Sequence, residues 1–197
     1  MKKVKEYISK EELMEGVLKL DNAQDKFMLV AIFYGIAGKR DLSELTNLKK
    51  EDVNFQTKTI TLKESERIIE MDDFLEKITK EAINQKVYYV EKTSKHGIEE
   101  IALNMACPYI MKPRPRSTNK NGLAPFSYSG MKYKYRNICA EAGFDLSPNQ
   151  LETAGVVDSL LKIKKEWTSL DIEFYLRVNN IKLNAYRVYK ILKSVLS

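Results

Sequence analysis

The stretch Asp25–Gly38, DKFMLVAIFYGIAG, restricts the fold more than any other. Apolar side chains recur on nearly every face of the helix it would form, so the helix needs cover on all sides and cannot lie on a surface. It predicts a buried central helix that ends near Gly35 to Gly38, with other elements packed around it. At 197 residues and 44% hydrophobic composition the chain is long enough to build that cover as one domain. The apolar run itself is too short to cross a bilayer, and the opening MKKVKEYISKEE is followed by no apolar signal segment. A cytoplasmic protein with no membrane segment is the expectation. The only histidine, His96, and the two cysteines, Cys107 and Cys139, make no metal-ligand spacing, so no metal or cofactor is expected and both thiols are read as buried and reduced.

Around the central helix the pattern is mainly helical. ISKEELMEGVLKL opens on a capping box, Ser9 with Glu12. DLSELTNLKKEDV repeats that logic with Asp41 and Glu44, and Leu42, Leu45 and Leu48 line one side of a brief helix. The alternating FQTKTITL, the polar KESE and then RIIEM read as a hairpin between Val53 and Met71, a small antiparallel sheet. DDFLEKITKEAINQ is helical and KVYYVE is a strand candidate. From His96 to Pro125, which holds four of the five prolines, KPRPRSTNKNG reads as an irregular loop. SYSGMKYKYRNICAEAGFD is a helix capped by Ser127 or Ser129 and stopped by Gly143. Met131, Tyr135, Ile138, Cys139 and Ala142 share one of its faces; Ser129, Lys132, Tyr133 and Arg136 share the other. Three further helices follow, NQLETAGVVDSLLKI, SLDIEFYLRV and LNAYRVYKILKSVL, with Trp167 packing ahead of a cap at Thr168 or Ser169. The fold class is therefore mainly α with a small antiparallel sheet, residues 1–197 forming one domain.

Charge distribution says more than the net charge of +6. No acidic residue lies between Glu100 and Glu141, while Lys112, Arg114, Arg116, Lys120, Lys132, Lys134 and Arg136 all do. A one-signed stretch focuses positive potential on one surface. A phosphate backbone is its natural partner, and a solvated basic loop is the alternative.

Three segments, in this order, resemble the catalytic domain of tyrosine recombinases, the phage-integrase family. FYGIAGKRDLSELTNLKKEDVNFQTKTITL is similar to the family's buried helix, its Thr-Gly-x-Arg-x-Ser-Glu-Leu turn and the strand beyond it. APFSYSGMKYKYRNICAEAGFDLSPNQLETAG resembles the DNA-facing helix, its Ala-Gly stop and the Thr-Pro-His-x-Leu-Arg-His-Thr box. LRVNNIKLNAYRVY corresponds to the segment leading to the nucleophilic tyrosine. The resemblance spans most of Ile8 to Lys193, and it implies an integrase-like fold and duplex DNA as partner. It also implies that the helix bearing Tyr128, Ser129, Lys132, Tyr133, Lys134 and Arg136 enters the major groove, with Lys39, Arg40, Lys63, Arg114, Arg116 and Lys120 as further DNA contacts. No core-binding domain precedes it in this reading, and the last helix is a candidate for docking onto a second copy.

The family's chemistry needs cations around the attacked phosphorus, with general acids and bases to move protons. At the matching positions this chain has Asp41 in place of the first arginine, Asn149 in place of a histidine, Glu152 in place of the second arginine and Val178 in place of the next histidine. The hairpin lysine is kept as Lys63; strict spacing puts Arg187 at the nucleophile, flanked by Tyr186 and Tyr189, which read as core or interface residues. A carboxylate about 4 Å from a phosphate costs on the order of several kcal/mol. The resulting expectation is a chain that is not an enzyme but a sequence-specific DNA-binding regulator, similar to prophage lytic-cycle repressors with an integrase-like fold. An active recombinase and a protein-interaction module that pairs with a full-length relative are the alternatives.

Overall fold

The apolar run folds as α2, Ala23–Phe33, with every residue from Phe27 to Phe33 buried. The helix stops as the chain turns through Gly35 at φ +83°, a left-handed conformation that favours glycine, and the Ile36 N–H donates back to the Ala31 carbonyl at 2.8 Å. In the computed structural model, which describes residues 7–38, 42–92, 97–116, 119–163 and 166–196, four helices cover it. These are α1 (Lys10–Val17), α4 (Asp73–Asn84), α5 (Tyr128–Glu141) and α6 (Pro148–Ile163). The approach of α6 is the tightest: a Cβ added to Gly155 would stand 1.7 Å from the Phe33 carbonyl oxygen. Only glycine lets the two backbones meet there.

The local signals behind these elements are physical. The Ser9 hydroxyl accepts from the Glu12 N–H at 3.2 Å and the Glu12 carboxylate accepts from the Ser9 N–H at 3.0 Å, closing the box expected at α1. Ser127 caps α5 and accepts from the Gly130 N–H at 3.2 Å, while Gly143 at φ +86° ends it. The C-terminus of α4 is closed from a distance. Lys112, 1% exposed, donates its ammonium to the Ala82 and Ile83 carbonyls at 2.7 and 2.9 Å. A cation at the negative end of a helix is favoured. Burial nevertheless pulls its pKa down to about 8, with Lys50 acting in the same direction.

Two readings of the brief helix α3 (Ser43–Asn47) change. Leu42, at φ +56°, occupies the cap position, and Glu44 is no cap: its Oε2 accepts from the Gly38 N–H at 3.0 Å and from Arg67. Asp41, like Lys39, Arg40 and His96, lies outside the described residues. After a short 3-10 turn the chain enters β1 (Val53–Asn54), β2 (Thr59–Leu62) and β3 (Arg67–Glu70), which pair antiparallel in the order β1-β2-β3. Ile60 opposite Ile69 sets the β2-β3 register. Phe55 to Lys58, read as strand, forms the turn between β1 and β2, with Lys58 at positive φ. A second sheet, which the sequence did not disclose, pairs β4 (Val87–Lys92) with β5 (Gly97–Ala102). Asn22 pins β4 to the start of α2, donating to the Tyr89 carbonyl and accepting from its N–H at 2.9 and 2.8 Å.

The last two helices, α7 (Ser169–Val178) and α8 (Ala185–Leu196), form a smaller core with the second half of α6. Val156, Val157, Leu160, Ile172, Leu176, Val188, Ile191 and Leu192 fill it. Burying each such aliphatic side chain contributes about 1.5–3 kcal/mol. The buried side of α8 is thus covered within its own chain. Trp167 packs as read, edge-on to Tyr175, with its indole N–H donating to the Leu160 carbonyl at 3.1 Å. Among the described residues, eight α-helices and two small antiparallel sheets match the mainly α class with minor β content. Among the described residues no helix is long and apolar enough to cross a membrane.

Candidate functional site

Two surfaces carry the residues that the sequence singled out. The first is the outer side of α5. Met131, Tyr135, Ile138, Cys139 and Ala142 are buried, and Tyr128, Ser129, Lys132, Tyr133 and Arg136 are exposed. Neither Lys132 nor Arg136 is paired with a carboxylate among the described residues, so both charges face solvent. Arg116 and Lys120 are exposed on the loop that leads to α5, where Arg116 and Asn119 form an isolated antiparallel bridge.

Lys134 is placed elsewhere. Its ammonium turns inward to the carboxylate of Asp25 on α2 and to the Tyr88 hydroxyl at 2.7 Å, and the side chain is only 14% exposed. Burial pulls its pKa down, and Asp25 pulls it partly back. Lys134 therefore ties α5 to α2 and β4. Arg114 lies over the Tyr88 ring, 5.3 Å from its centroid, at the edge of this cluster.

The second surface is a cavity between β3, the end of α2, α6 and α7. Its floor is built by β3, because Arg67 points back across the core. The Arg67 guanidinium donates to the Gly35 carbonyl at 2.7 Å, to Glu44 Oε2 at 3.0 Å and, through Nε, to the Ser65 hydroxyl at 3.0 Å. Glu152 enters from α6, 8% exposed. Desolvation raises its pKa from the usual 4.5 to about 7, with Arg67 opposing that shift and Glu44 adding to it. Sequence register missed Arg67, whose only signal was a lone cation at the start of a predicted strand.

The remaining family positions do not converge on that cavity as a set. Lys63 is drawn away by Asp52 at 2.6 Å and Glu51 at 3.2 Å. Asn149 accepts from Arg187 at 3.4 Å, which links α6 to α8. Val178 lines the cavity at the end of α7. Tyr186, read as a core or interface residue, is 64% exposed at the start of α8, whereas Tyr189 is half-buried against the smaller core. Among the described residues no group of three or more histidine, cysteine or acidic side chains could hold a metal ion.

Comparison with known proteins agrees with this architecture. A family model described as "MrpR, C-terminal catalytic domain" matches residues 7–196. A solved structure titled "Crystal structure of XerA recombinase" superposes with a TM-score of 0.63 at 16% sequence identity, covering 98% of this chain and 60% of that one. The chain thus spans less than two thirds of that recombinase, and the likeness establishes the fold. Among curated proteins none matches.

These findings overturn the expectation that the chain is not an enzyme: the matching family is described as a catalytic domain and the structural neighbour is a recombinase. Desolvation raises the Glu152 pKa to about 7, which favours its neutral form relative to an exposed carboxylate, and Arg67 places a guanidinium at the cavity. From residue 7 to residue 196 this chain belongs to the family of MrpR C-terminal catalytic domains, on the fold of a tyrosine recombinase.

Proposed function

We propose that the chain binds duplex DNA sequence-specifically through α5 and the loop before it, and that it regulates phage or prophage genes by occupying their operators. The observation that carries this reading is the division of α5 into a sealed apolar side and a cationic side whose Lys132 and Arg136 have no carboxylate partner among the described residues. A helix of that width fits a major groove, where Arg136, Tyr133 and Ser129 can reach base edges while Lys132, Arg116 and Lys120 hold phosphates. Repression of lytic genes extends the resemblance to prophage repressors noted above. Affinity per monomer would be modest, so paired half-sites and a homodimer through α8 would raise effective concentration.

The test is duplex binding measured across a salt series. In K132A/R136A, affinity for the selected operator should fall by about 10- to 100-fold, and the salt dependence should flatten by about one phosphate contact, that of Lys132. Unchanged binding in that variant sinks the assignment of α5. Salt-insensitive binding together with co-purification of a relative would favour a protein-interaction module instead.

A second reading, strand cleavage, is favoured by the family's description as a catalytic domain and by the exposure of Tyr186. In that reaction the Tyr186 Oη attacks a DNA phosphorus, the bond to the leaving 5′ oxygen breaks, and that oxygen takes a proton. A nicked suicide substrate should then trap a covalent adduct that is absent in Y186F. No adduct with the wild-type chain would exclude it.

A further inference from the structure

The cavity between β3, α2, α6 and α7 measures about 690 Å³, within the range of small-molecule sites. Its lining is mixed. Phe33, Val156, Val178, Ile181 and the ring of Tyr175 supply apolar surface, and Asn179 and Asn180 supply amides. Its charges do not balance. Among the described residues, Glu152, Glu66 and Glu70 line it with one cation, Arg67, which is already engaged by Glu44 and two further acceptors, while Lys182 lines only the adjoining recess.

Glu152 is the unusual member. It is more than nine-tenths buried, it borders both the cavity and an adjoining recess, and it has no hydrogen-bond or ion-pair partner among the described residues. In that recess Glu44 Oε1 is buried and also lacks a partner. Buried carboxylates without partners are costly and rare. A ligand bringing a cation would remove that cost.

We propose that this cavity binds a small organic cation, an ammonium or amidinium group on an apolar or aromatic body, with Glu152 as its counter-ion. The charge points into a space large enough for an aromatic ring, next to Tyr175 and Val178, and a planar amidinium can meet a carboxylate with two parallel N–H donors. The cavity is separate from the exposed side of α5, so ligand binding does not depend on the DNA-binding reading.

Burial, Arg67 from β3 and Glu44 from α3 set the pH response of Glu152; Glu66, Glu70 and Tyr175 also line the cavity, and Lys182, from the segment before α8, lines the adjoining recess. Only the ionised carboxylate pairs with a cation. Affinity should therefore approach its full value about one pH unit above 7 and fall on acidification through 7.

The test is calorimetric titration of the full chain with benzamidine, with benzyl alcohol as the neutral counterpart and inorganic phosphate as the anion. Saturable benzamidine binding at pH 8 is expected, about 30-fold weaker at pH 5.5 and at least about tenfold weaker in E152Q, with benzyl alcohol binding far more weakly. V178W, which narrows the cavity at the end of α7 without changing its charge, should weaken benzamidine binding even if E152Q is compromised. K132A/R136A should bind benzamidine as the wild type does, so that failure here and failure of the DNA reading are distinguishable. No benzamidine binding, equal affinity in folded E152Q, or phosphate binding in place of benzamidine would overturn the proposal.

Discussion

Consecutive helices α5 and α6 are built in opposite ways. α5 seals one side and exposes the other, so its polar residues, Lys134 apart, meet water. α6 is buried without interruption from Leu151 to Asp158, and there Thr153 and Asp158 find partners among the described residues while Glu152 does not. The difference shows where a charged residue can be interpreted alone. On α5 the helical period assigns a face, and an outward cation faces solvent. On α6 the charge of Glu152 depends on groups that arrive from β3 and α3, about 85 and 108 positions away along the chain.

The strongest way to break the comparison is to remove the close approach that buries α6. G155A places a methyl group against the Phe33 carbonyl, and neither backbone can yield without repacking α2. A loss of more than about 4 kcal/mol is expected, read by chemical denaturation, because overpacking against backbone has no soft neighbour to absorb it. A near-wild-type midpoint would mean that α6 is not seated as described.

Next comes the guanidinium that organises the cavity. R67A leaves Glu44 and the Gly35 carbonyl without their buried partner, which costs about 3–5 kcal/mol for a broken buried pair. A matching loss in R67K would assign the effect to the fork of donors rather than to charge.

Within α5 the contrast is sharpest between residues two apart. K134M breaks the inward pair with Asp25 and should lower stability by about 2–4 kcal/mol while leaving the salt dependence of DNA binding unchanged. K132A/R136A should do the reverse. Identical behaviour of the two variants would erase the distinction between the sealed and open sides of this helix.

The smallest effect is a matter of pH. The Glu152 pKa is raised on folding, so the native state holds the proton more tightly between 4.5 and about 7. The group's contribution is fully present below pH 4.5 and lost as pH rises to about 7, a swing on the order of 3 kcal/mol. E152Q should flatten that part of the stability profile and raise the melting temperature at pH 8 by a few degrees. A profile unchanged between variant and wild type would place the carboxylate in water.

Much of the scaffold was legible from sequence because its signals are local. The Ser9 box, the glycines after α2 and α5, and the two-sided pattern of α5 depend on neighbours within one or two helical turns. The β4-β5 sheet escaped because GIEEIA, paired as β5, carries no strict alternation, and its partner lies across residues 93–96. Lys112 escaped for another reason. It was counted with a basic surface, yet its ammonium closes the end of α4, thirty positions earlier in the chain.

By itself, then, the sequence determined that a wholly apolar helix would be wrapped by others, that the fold would be mainly α on an integrase-like plan, and that α5 would carry cations on its outer side. Tertiary structure alone decided which cations stay free, that Arg67 rather than Lys63 reaches the cavity, and that Glu152 would be buried without a partner. The reason is range. Helical period and capping act over a few residues, whereas the charge state of a buried group is set by desolvation and by neighbours that only folding assembles.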